Sequence, residues 1–258
     1  MNIESRTFAP RDSLDGQTAV ITGGRGAIGV AIARRFAALG ARVILVQRDM
    51  PGASDPLLES LPGDGHFALN ASVADSASLH HAAEEVKART GGATILVNAA
   101  GFTASVPAAD LNGLTDSLID DIFAVTWRGM FASVRAFAPQ LQASGDGLVV
   151  NVSSIAAFTG IGSNLAYAAA KAGVDAATKA LAKTLAPGIR VLAVSPGIVD
   201  TGFVPGRGAD FNARVGAAIP LKRVGVADDV ASAVTACATS LRYATGSVFV
   251  VDGGRYLG

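Results

Sequence analysis

The sequence has one cysteine and no cluster of metal-ligating side chains. The single cysteine, Cys237, excludes an internal disulfide and a cysteine-based metal cluster. Because Cys237 lies in an apolar helical stretch, we interpret it as a small buried hydrophobic residue and not as a nucleophile. His80 and His81 open a polar helix without a third ligand, and we predict no metal site.

Neither sign of charge predominates in the sequence. Lysine and arginine total 21, aspartate and glutamate total 21, and the formal net charge is zero. Without a basic patch or a polybasic run, we expect no nucleic acid partner and no membrane-surface partner. No apolar run approaches the roughly 18 residues of a spanning helix, and the first residues lack the apolar core of a secretory signal. We therefore expect a cytoplasmic protein.

Short apolar segments alternate with helical patterns along the chain. Residues 1–16 are predicted to form a flexible N-terminal arm, and residues 17–258 a single domain. Thr18–Thr22 is the first predicted strand, and one long helical region is predicted over residues 114–141. Strands that alternate with helices indicate right-handed crossovers. The predicted fold is α/β, a doubly wound parallel sheet with helices on both faces.

A glycine-rich turn follows the first predicted strand. The sequence TGGRGAIG, from Thr22 to Gly29, ends that strand and opens a helix. Glycines let backbone N–H groups approach a pyrophosphate, and the helix N-terminus supplies partial positive charge. The position of this turn therefore predicts a dinucleotide-binding site.

A tyrosine and a lysine stand four residues apart in the segment YAAAK. On a helix, Tyr167 and Lys171 point the same way. A nearby ammonium lowers the pKa of a phenol, which lets the phenol exchange a proton with an alcohol or carbonyl near neutral pH. Ser154 precedes the tyrosine by thirteen residues. The spacing alone is also typical of a solvated helix face, so the neighbouring motifs decide its interpretation.

Further motifs accompany the glycine turn, the serine and the tyrosine–lysine pair: NAAG at 98–101, SPGIVDT at 195–201 and VVDGG at 250–254. Together with TGGRGAIG, Ser154, Tyr167 and Lys171, they resemble the short-chain dehydrogenase/reductase family over residues 18–254. The resemblance implies a seven-stranded Rossmann-like sheet and hydride transfer between NAD(P) and an alcohol or carbonyl. It implies Tyr167 as the acid/base, Ser154 as a hydrogen-bond donor to the substrate oxygen, and Lys171 as the residue that holds the nicotinamide ribose and lowers the tyrosine pKa.

The resemblance and the glycine turn also assign cofactor contacts. Thr126, a fourth catalytic candidate, stands where the family has an asparagine, and Ser72 where it usually has an aspartate. The predicted cofactor-binding residues are Gly23, Arg25, Ala27, Ile28, Gly29, Gln47, Arg48, Ser72, Val73, Asn98, Ala99, Ala100, Gly101, Tyr167, Lys171, Pro196, Gly197, Val199 and Thr201.

The end of the second predicted strand bears on the choice of cofactor. An acidic residue there would bond the ribose hydroxyls and repel a 2′-phosphate, but the sequence has Gln47. Arg48 and Arg25 can pair with a phosphate. These residues favour NADP(H) over NAD(H). NAD(H) stays open because Arg48 stacked on adenine suits either cofactor and Asp49 is close by.

The predicted substrate pocket is mostly apolar and includes Ser154, Phe158, Ile161 and Tyr167, with residues 202–218 as a candidate lid. The leading hypothesis is an oxidoreductase of a ketone or secondary alcohol, resembling a 3-oxoacyl thioester reductase. The alternatives are a sugar, steroid or polyol as substrate, and a cofactor-binding sensor with little turnover. The alanine-rich helix at 165–185 resembles the family's subunit contact and implies a homodimer or homotetramer.

Overall fold

A computed structural model describes residues 10–49, 55–204 and 209–257. The described residues form seven strands: β1 (Thr18–Thr22), β2 (Arg42–Gln47), β3 (Phe67–Asn70), β4 (Ile95–Asn98), β5 (Gly147–Val152), β6 (Ile189–Pro196) and β7 (Val248–Val251). All pair in parallel, in the order β3-β2-β1-β4-β5-β6-β7. The predicted seven-stranded parallel sheet is therefore confirmed.

Helices cover both faces of this sheet, as predicted. They are α1 (Ala27–Ala38), α2 (Pro56–Glu59), α3 (Ser76–Thr90), α4 (Asp116–Phe123), α5 (Gly129–Ala143), α6 (Ala156–Thr159), α7 (Leu165–Leu185), α8 (Ala209–Ala218) and α9 (Ala227–Thr239). One core packs α1 and α9 against the sheet through side chains such as Phe36 and Val234. A second core packs α3, α5 and α7 against the other face, with Val86, Phe137 and Val174 among its members.

Four loops lie at the carboxyl ends of neighbouring strands. In a doubly wound sheet, ligands bind beyond the carboxyl ends of the strands, where the strand order reverses. Here the reversal falls between β1 and β4, which are neighbours. The loops that leave β1, β4, β5 and β6 therefore emerge together, and they carry the glycine turn, residues 99–101, Ser154 and residues 197–201.

Part of the predicted N-terminal arm, residues 11–14, contacts the rest of the domain in the structure. The side chain of Leu14 is fully buried in the core formed with α1, and its backbone N–H donates to the carbonyl of Leu39 at 2.7 Å. The N–H of Arg11 donates to the carbonyl of Thr239 at 3.0 Å. The buried Leu14 side chain and these two hydrogen bonds hold the segment against the domain, because removing a leucine side chain from water is favourable. Residues 1–9 of the predicted arm lie outside the described residues.

The long predicted helix at 114–141 is interrupted. A π-helical turn, Ala124–Arg128, separates α4 from α5. A π turn adds one residue to the helical repeat and commonly marks a functional site. Apolar periodicity in the sequence did not resolve this single inserted residue. The turn contains Thr126, whose side chain is buried.

Candidate active site

A side-chain cap fixes the helix start that carries Tyr167. The N-cap residue of α7 is Asn164, and its side-chain oxygen accepts a 2.7 Å hydrogen bond from the N–H of Tyr167. The amide nitrogen of Asn164 donates to the carbonyl of Ala104 at 2.8 Å and to the hydroxyl of Thr103 at 3.2 Å. The cap therefore ties the first turn of α7 to the loop that follows β4.

The predicted pair of Tyr167 and Lys171 shares one face of α7. The ammonium nitrogen of Lys171 lies 5.8 Å from the centre of the Tyr167 ring. It donates a 2.6 Å hydrogen bond to the carbonyl of Val152 at the end of β5. Burial lowers the pKa of Lys171 to about 8, and the carboxylate of Asp175 opposes that shift. A lysine in this position changes charge close to physiological pH.

Ser154 faces the same space from the loop after β5. Its hydroxyl oxygen accepts a 3.2 Å hydrogen bond from the N–H of Ala156, so its own hydrogen remains available to a ligand. The ring of Phe203 lies 6.0 Å from the ring of Tyr167 at an interplanar angle of 52°. An alcohol or carbonyl between these groups would meet a phenol and a hydroxyl together.

One cavity of about 300 Å³ joins the tyrosine to the glycine turn. It contains thirteen of the predicted site residues: Ala27, Ile28, Gly29, Ala99, Gly101, Ser154, Ile161, Tyr167, Lys171, Pro196, Gly197, Val199 and Thr201. Segments that are far apart in sequence therefore line a single pocket. The pocket lies beyond the carboxyl ends of the strands, where the sheet topology predicts a ligand site.

The glycine turn has the geometry that a dinucleotide requires. Gly23 has φ +65°, and a Cβ there would lie 2.7 Å from the backbone nitrogen of Ala100. A Cβ on Gly29 would lie 2.4 Å from the carbonyl oxygen of Gly23. Gly26 is the N-cap of α1, and no described side chain caps this helix end. The turn and the first amides of α1 therefore fit a pyrophosphate, and Ala27 fits as the first helical residue.

Three predicted residues near the end of β2 contact one another or acidic side chains and do not line the cavity. The side-chain oxygen of Gln47 accepts from the N–H of Arg25 at 3.4 Å. The guanidinium of Arg25 forms an ion pair with Asp55, whose side chain is only 7% exposed. Exposed Arg48 lies 3.2 Å from the carboxylate of Asp49. Both candidate phosphate-binding cations therefore have an acidic neighbour.

Other predicted cofactor residues hold the framework together. The side-chain amide of Asn98 donates to Asn151 at 2.9 Å, and Asn151 donates to the hydroxyl of Thr178 at 2.9 Å. This chain joins β4, β5 and α7, so Asn98 positions strands in this structure. Ser72 accepts from the N–H of Ala74 at 3.3 Å. Val73 packs on Gly129, and Ala100 on Gly23.

Two predicted active-site residues lie outside the cavity. Phe158 is half-exposed and packs edge-on against Tyr256, with ring centres 5.4 Å apart. Thr126 is buried in the π-helical turn, and its hydroxyl has no hydrogen-bond partner among the described residues. Of the candidate lid at 202–218, residues 205–208 lie outside the described residues, and Ala209–Ala218 forms α8.

The cavity also contains residues that the sequence motifs did not assign. This group includes three polar side chains that can bind a ligand through charge or an amide: Asp200, Asn212 of α8 and Arg255. Arg255 follows the VVDGG motif directly, but no spacing rule links it to Tyr167, which is far away in sequence. Among the described residues, no three His, Cys, Asp or Glu side chains gather as they would around a metal. Within the same residues, no helix is long and apolar enough to cross a membrane.

The fold and the cavity together define the class of protein. A glycine turn at the switch point of a parallel sheet, beside a paired tyrosine and lysine, is the arrangement of a Rossmann-type dehydrogenase or reductase. Comparison with known proteins agrees: a family model described as enoyl-(acyl carrier protein) reductase matches residues 24–255.

Individual relatives match almost the whole chain. D-threitol dehydrogenase of Mycolicibacterium smegmatis is 36% identical over 248 residues, covering 93% of this chain and 93% of its own. The 3-oxoacyl-(acyl-carrier-protein) reductase of Escherichia coli is 32% identical over 247 residues, covering 95% and 99%. A crystal structure from Brucella melitensis, described as a short-chain and glucose/ribitol dehydrogenase, has a TM-score of 0.89 at 28% identity, with coverage of 96% and 100%. The chain belongs to the short-chain dehydrogenase/reductase family and is an oxidoreductase that uses a nicotinamide cofactor.

Proposed function

We propose that the chain transfers a hydride between NADP(H) and a ketone or secondary alcohol, with Tyr167, Ser154 and Lys171 as its catalytic residues. The observation that carries this proposal is the cavity that Tyr167, Ser154 and Lys171 share with the glycine turn. The nicotinamide, when bound, supplies or accepts the hydride. All other chemistry is assigned to side chains of this chain.

Each of these three side chains has a separate task in the proposed reaction. Ser154 donates a hydrogen bond to the substrate oxygen and fixes its position. Tyr167 gives a proton to that oxygen during reduction and takes it back during oxidation. Lys171 places positive charge 5.8 Å from the phenol ring, which favours the phenolate that reduction leaves behind. Its bond to the Val152 carbonyl keeps the ammonium in place.

We assign Thr126 a positioning role in proton supply. Its buried hydroxyl has no partner among the described residues, and a buried unpaired hydroxyl is costly unless something uses it. The π-helical turn that contains Thr126 contacts α7 through Trp127, which packs on Gly173. The hydroxyl is thus held beside the helix that carries the catalytic pair.

The preference for NADP(H) rests on Arg25 and Arg48 and on the lack of an acidic side chain at Gln47. A 2′-phosphate would offer Arg25 a second anion in competition with Asp55. We propose that this competition sets how strongly the protein prefers the phosphorylated cofactor.

For the substrate, we propose a 3-oxoacyl or related ketone, in line with the 3-oxoacyl reductase relative. The apolar side chains of Ile161 and Phe203 in the cavity support this choice. A polyol is the second candidate, because D-threitol dehydrogenase is also a relative. Turnover measured on 3-oxoesters and on polyols with each cofactor separates the two.

We also propose a homodimer or homotetramer that packs through α7 and its neighbours. Phe123, Trp127 and Phe131 are each more than a third exposed beside this alanine-rich helix, and Trp127 stacks on Phe131 at 6.0 Å. Partly exposed aromatic residues beside small ones are typical of helix contacts between subunits. A solution mass equal to one chain would contradict the proposal.

The central test of catalysis is Tyr167→Phe. Loss of the phenol should lower nicotinamide-linked turnover at least about 100-fold, because general acid catalysis is lost. Cofactor affinity, measured by quenching of protein fluorescence, should change little. Tyr243→Phe is the control, since Tyr243 is exposed on the surface. Full turnover in Tyr167→Phe would disprove the mechanism, and cofactor binding without turnover in the unaltered protein would favour the sensor.

A further inference from the structure

Arg255 is held at the cavity by a well-defined turn at the end of the chain. The carboxylate of Asp252 accepts 2.8 Å hydrogen bonds from the N–H groups of Gly254 and Tyr256. These two bonds close the turn around the backbone of Arg255, which begins a short 3₁₀ turn, Arg255–Leu257. The guanidinium is therefore mounted on a fixed backbone.

This turn is packed between the two segments that flank the cavity. A Cβ on Gly254 would lie 2.9 Å from Pro220, and one on Gly253 would lie 2.9 Å from Ile219, both in the chain after α8. On the other side, Tyr256 packs edge-on against Phe158 of α6. The backbone position of Arg255, which lines the cavity, therefore follows from contacts of this turn with the chain after α8 and with α6.

The guanidinium of Arg255 has no anionic partner within the described parts of the chain. None of their carboxylates lies within 4.0 Å of it, whereas Arg223 and Arg35 each form an ion pair. Asp252 is occupied by backbone N–H groups. Lys171, the other cation among the described residues of the cavity, is buried and bonded to a carbonyl. Of the two, Arg255 is the cation that a charged ligand can reach.

We infer that Arg255 binds a carboxylate of the substrate, which narrows the proposed ketone or alcohol to a free keto acid or hydroxy acid in place of an esterified 3-oxoacyl group. A guanidinium matches a carboxylate with two parallel hydrogen bonds. Asn212 of α8 lines the same cavity and supplies a second donor. Ile161 and Phe203 offer an apolar surface to the rest of the molecule. The substrate would carry its carbonyl or hydroxyl at Tyr167 and its carboxylate at Arg255.

The phosphates of the cofactor have other donors in this structure. The amides at the start of α1 fit the pyrophosphate, and Arg25 and Arg48 stand at the β2 end. The inference rests on the proposed function in one respect, namely that the cavity at Tyr167 is the substrate site.

Turnover of a matched pair of substrates tests the selectivity. We would compare 5-oxohexanoate with its methyl ester, which has the same ketone without the charge. Arg255→Gln should lower kcat/KM for the acid about 10- to 100-fold and leave the ester within about twofold, because a charge-assisted pair is lost only for the acid. Arg255→Lys should keep part of the preference. The control Arg34→Gln removes an exposed charge on α1 and should change neither.

Direct binding separates this inference from the proposed reaction. Calorimetry on the NADP⁺-saturated protein would compare hexanoate with hexanamide, neither of which can react. Arg255→Gln should weaken hexanoate binding about 10- to 100-fold without changing the KM or Kd of the cofactor.

Each outcome counts for or against the inference. If the variant loses acid and ester turnover equally, or changes only cofactor affinity, Arg255 does not select the substrate. If ketones turn over but hexanoate and hexanamide bind alike, the inference fails and the proposed function stands. If hexanoate binding depends on Arg255 but no ketone or alcohol turns over, the proposed function fails and the carboxylate site stands.

Discussion

The ammonium nitrogen of Lys171 lies 5.8 Å from the ring centre of Tyr167, one helical turn away on α7. The lysine is almost completely buried and bonds to the Val152 carbonyl, so the pair can change its spacing little. Burial also brings the pKa of Lys171 down to about 8. The proposed catalytic pair therefore combines fixed geometry with a charge that responds to pH near neutrality.

Ketone reduction should decline as the pH rises through about 8. Above that pH, Lys171 loses its proton and no longer stabilises the phenolate that proton donation leaves on Tyr167. The measurement is the pH profile of kcat in the reductive direction. A profile that stays flat from pH 7 to 10 would contradict this assignment.

Asp175 offers a variant that moves this profile in a known direction. Its carboxylate raises the pKa of Lys171 against the effect of burial, so Asp175→Asn should lower that pKa further. The decline in reduction should then begin at a lower pH than in the unaltered protein. Asp116→Asn, an exposed acid at the start of α4, is the control and should leave the profile in place.

The cap of α7 should matter for catalysis beyond its effect on stability. Asn164→Ala removes the acceptor for the Tyr167 N–H and two donor bonds to the loop after β4. We expect a loss of about 1–2 kcal/mol in unfolding free energy and a roughly tenfold lower kcat with little change in KM. Asn164→Ser keeps an acceptor for the Tyr167 N–H without burying a charge and should recover part of kcat.

A matched cap elsewhere provides the control for that measurement. Asp75 caps α3 through the N–H of Ala77 at 2.9 Å. Asp75→Ala should lower stability by a similar amount, about 1 kcal/mol, with kcat unchanged. Equal losses of kcat in both variants would show that the Asn164 cap acts through stability alone.

Asp55 should weaken the selection of NADPH. Asp55→Asn removes the negative charge that pairs with Arg25 and keeps the oxygen that accepts from the Leu57 N–H. The freed guanidinium should raise NADPH affinity relative to NADH about tenfold. The measurement is the Kd for NADH divided by the Kd for NADPH, which should rise. Arg25→Gln should lower that ratio. The control is Asp228→Asn, which removes the partner of Arg35 and should leave the ratio unchanged. An unchanged ratio in Asp55→Asn would remove Arg25 from cofactor selection.

Arg190 should stabilise the fold without touching catalysis. It lies at the start of β6, away from the cavity, and donates to the carbonyls of Cys237 and Leu241 at 3.2 and 3.0 Å, near the end of α9. Arg190→Met would leave these carbonyls without their donor and should cost about 2 kcal/mol of unfolding free energy. Arg35→Met, which breaks an exposed ion pair, should cost less than about 1 kcal/mol. Activity of the native protein should be unchanged in both.

Local sequence patterns predicted those parts of the site that depend on neighbours in sequence. Lys171 follows Tyr167 by one helical turn, so their shared face follows from helix geometry alone. The glycine turn follows a strand of five buried residues and precedes a helix, so its place at the sheet edge also follows. In the structure, Tyr167, Lys171 and residues 26–29 of this turn line one cavity.

Predictions were weaker for residues whose environment is set by distant segments. The motif predicts that Asn98 contacts the cofactor, but in the structure its side-chain amide donates to Asn151 of β5, which in turn donates to Thr178 of α7. Phe158 was assigned to the pocket, but Tyr256 from the end of the chain packs against it. A motif gives the place of a residue along the chain and leaves the direction of its side chain to its tertiary contacts.

The sequence by itself determined the order of strands and helices, the glycine turn and the Tyr167–Lys171 spacing, because each depends on residues within a few turns of one another. Only the tertiary structure decided that Leu14 joins the core, that Asp55 neutralises Arg25 and that Arg255 lies at the cavity of Tyr167. These relationships join residues from separate segments. They depend on how the sheet brings its loops together, which no local pattern specifies.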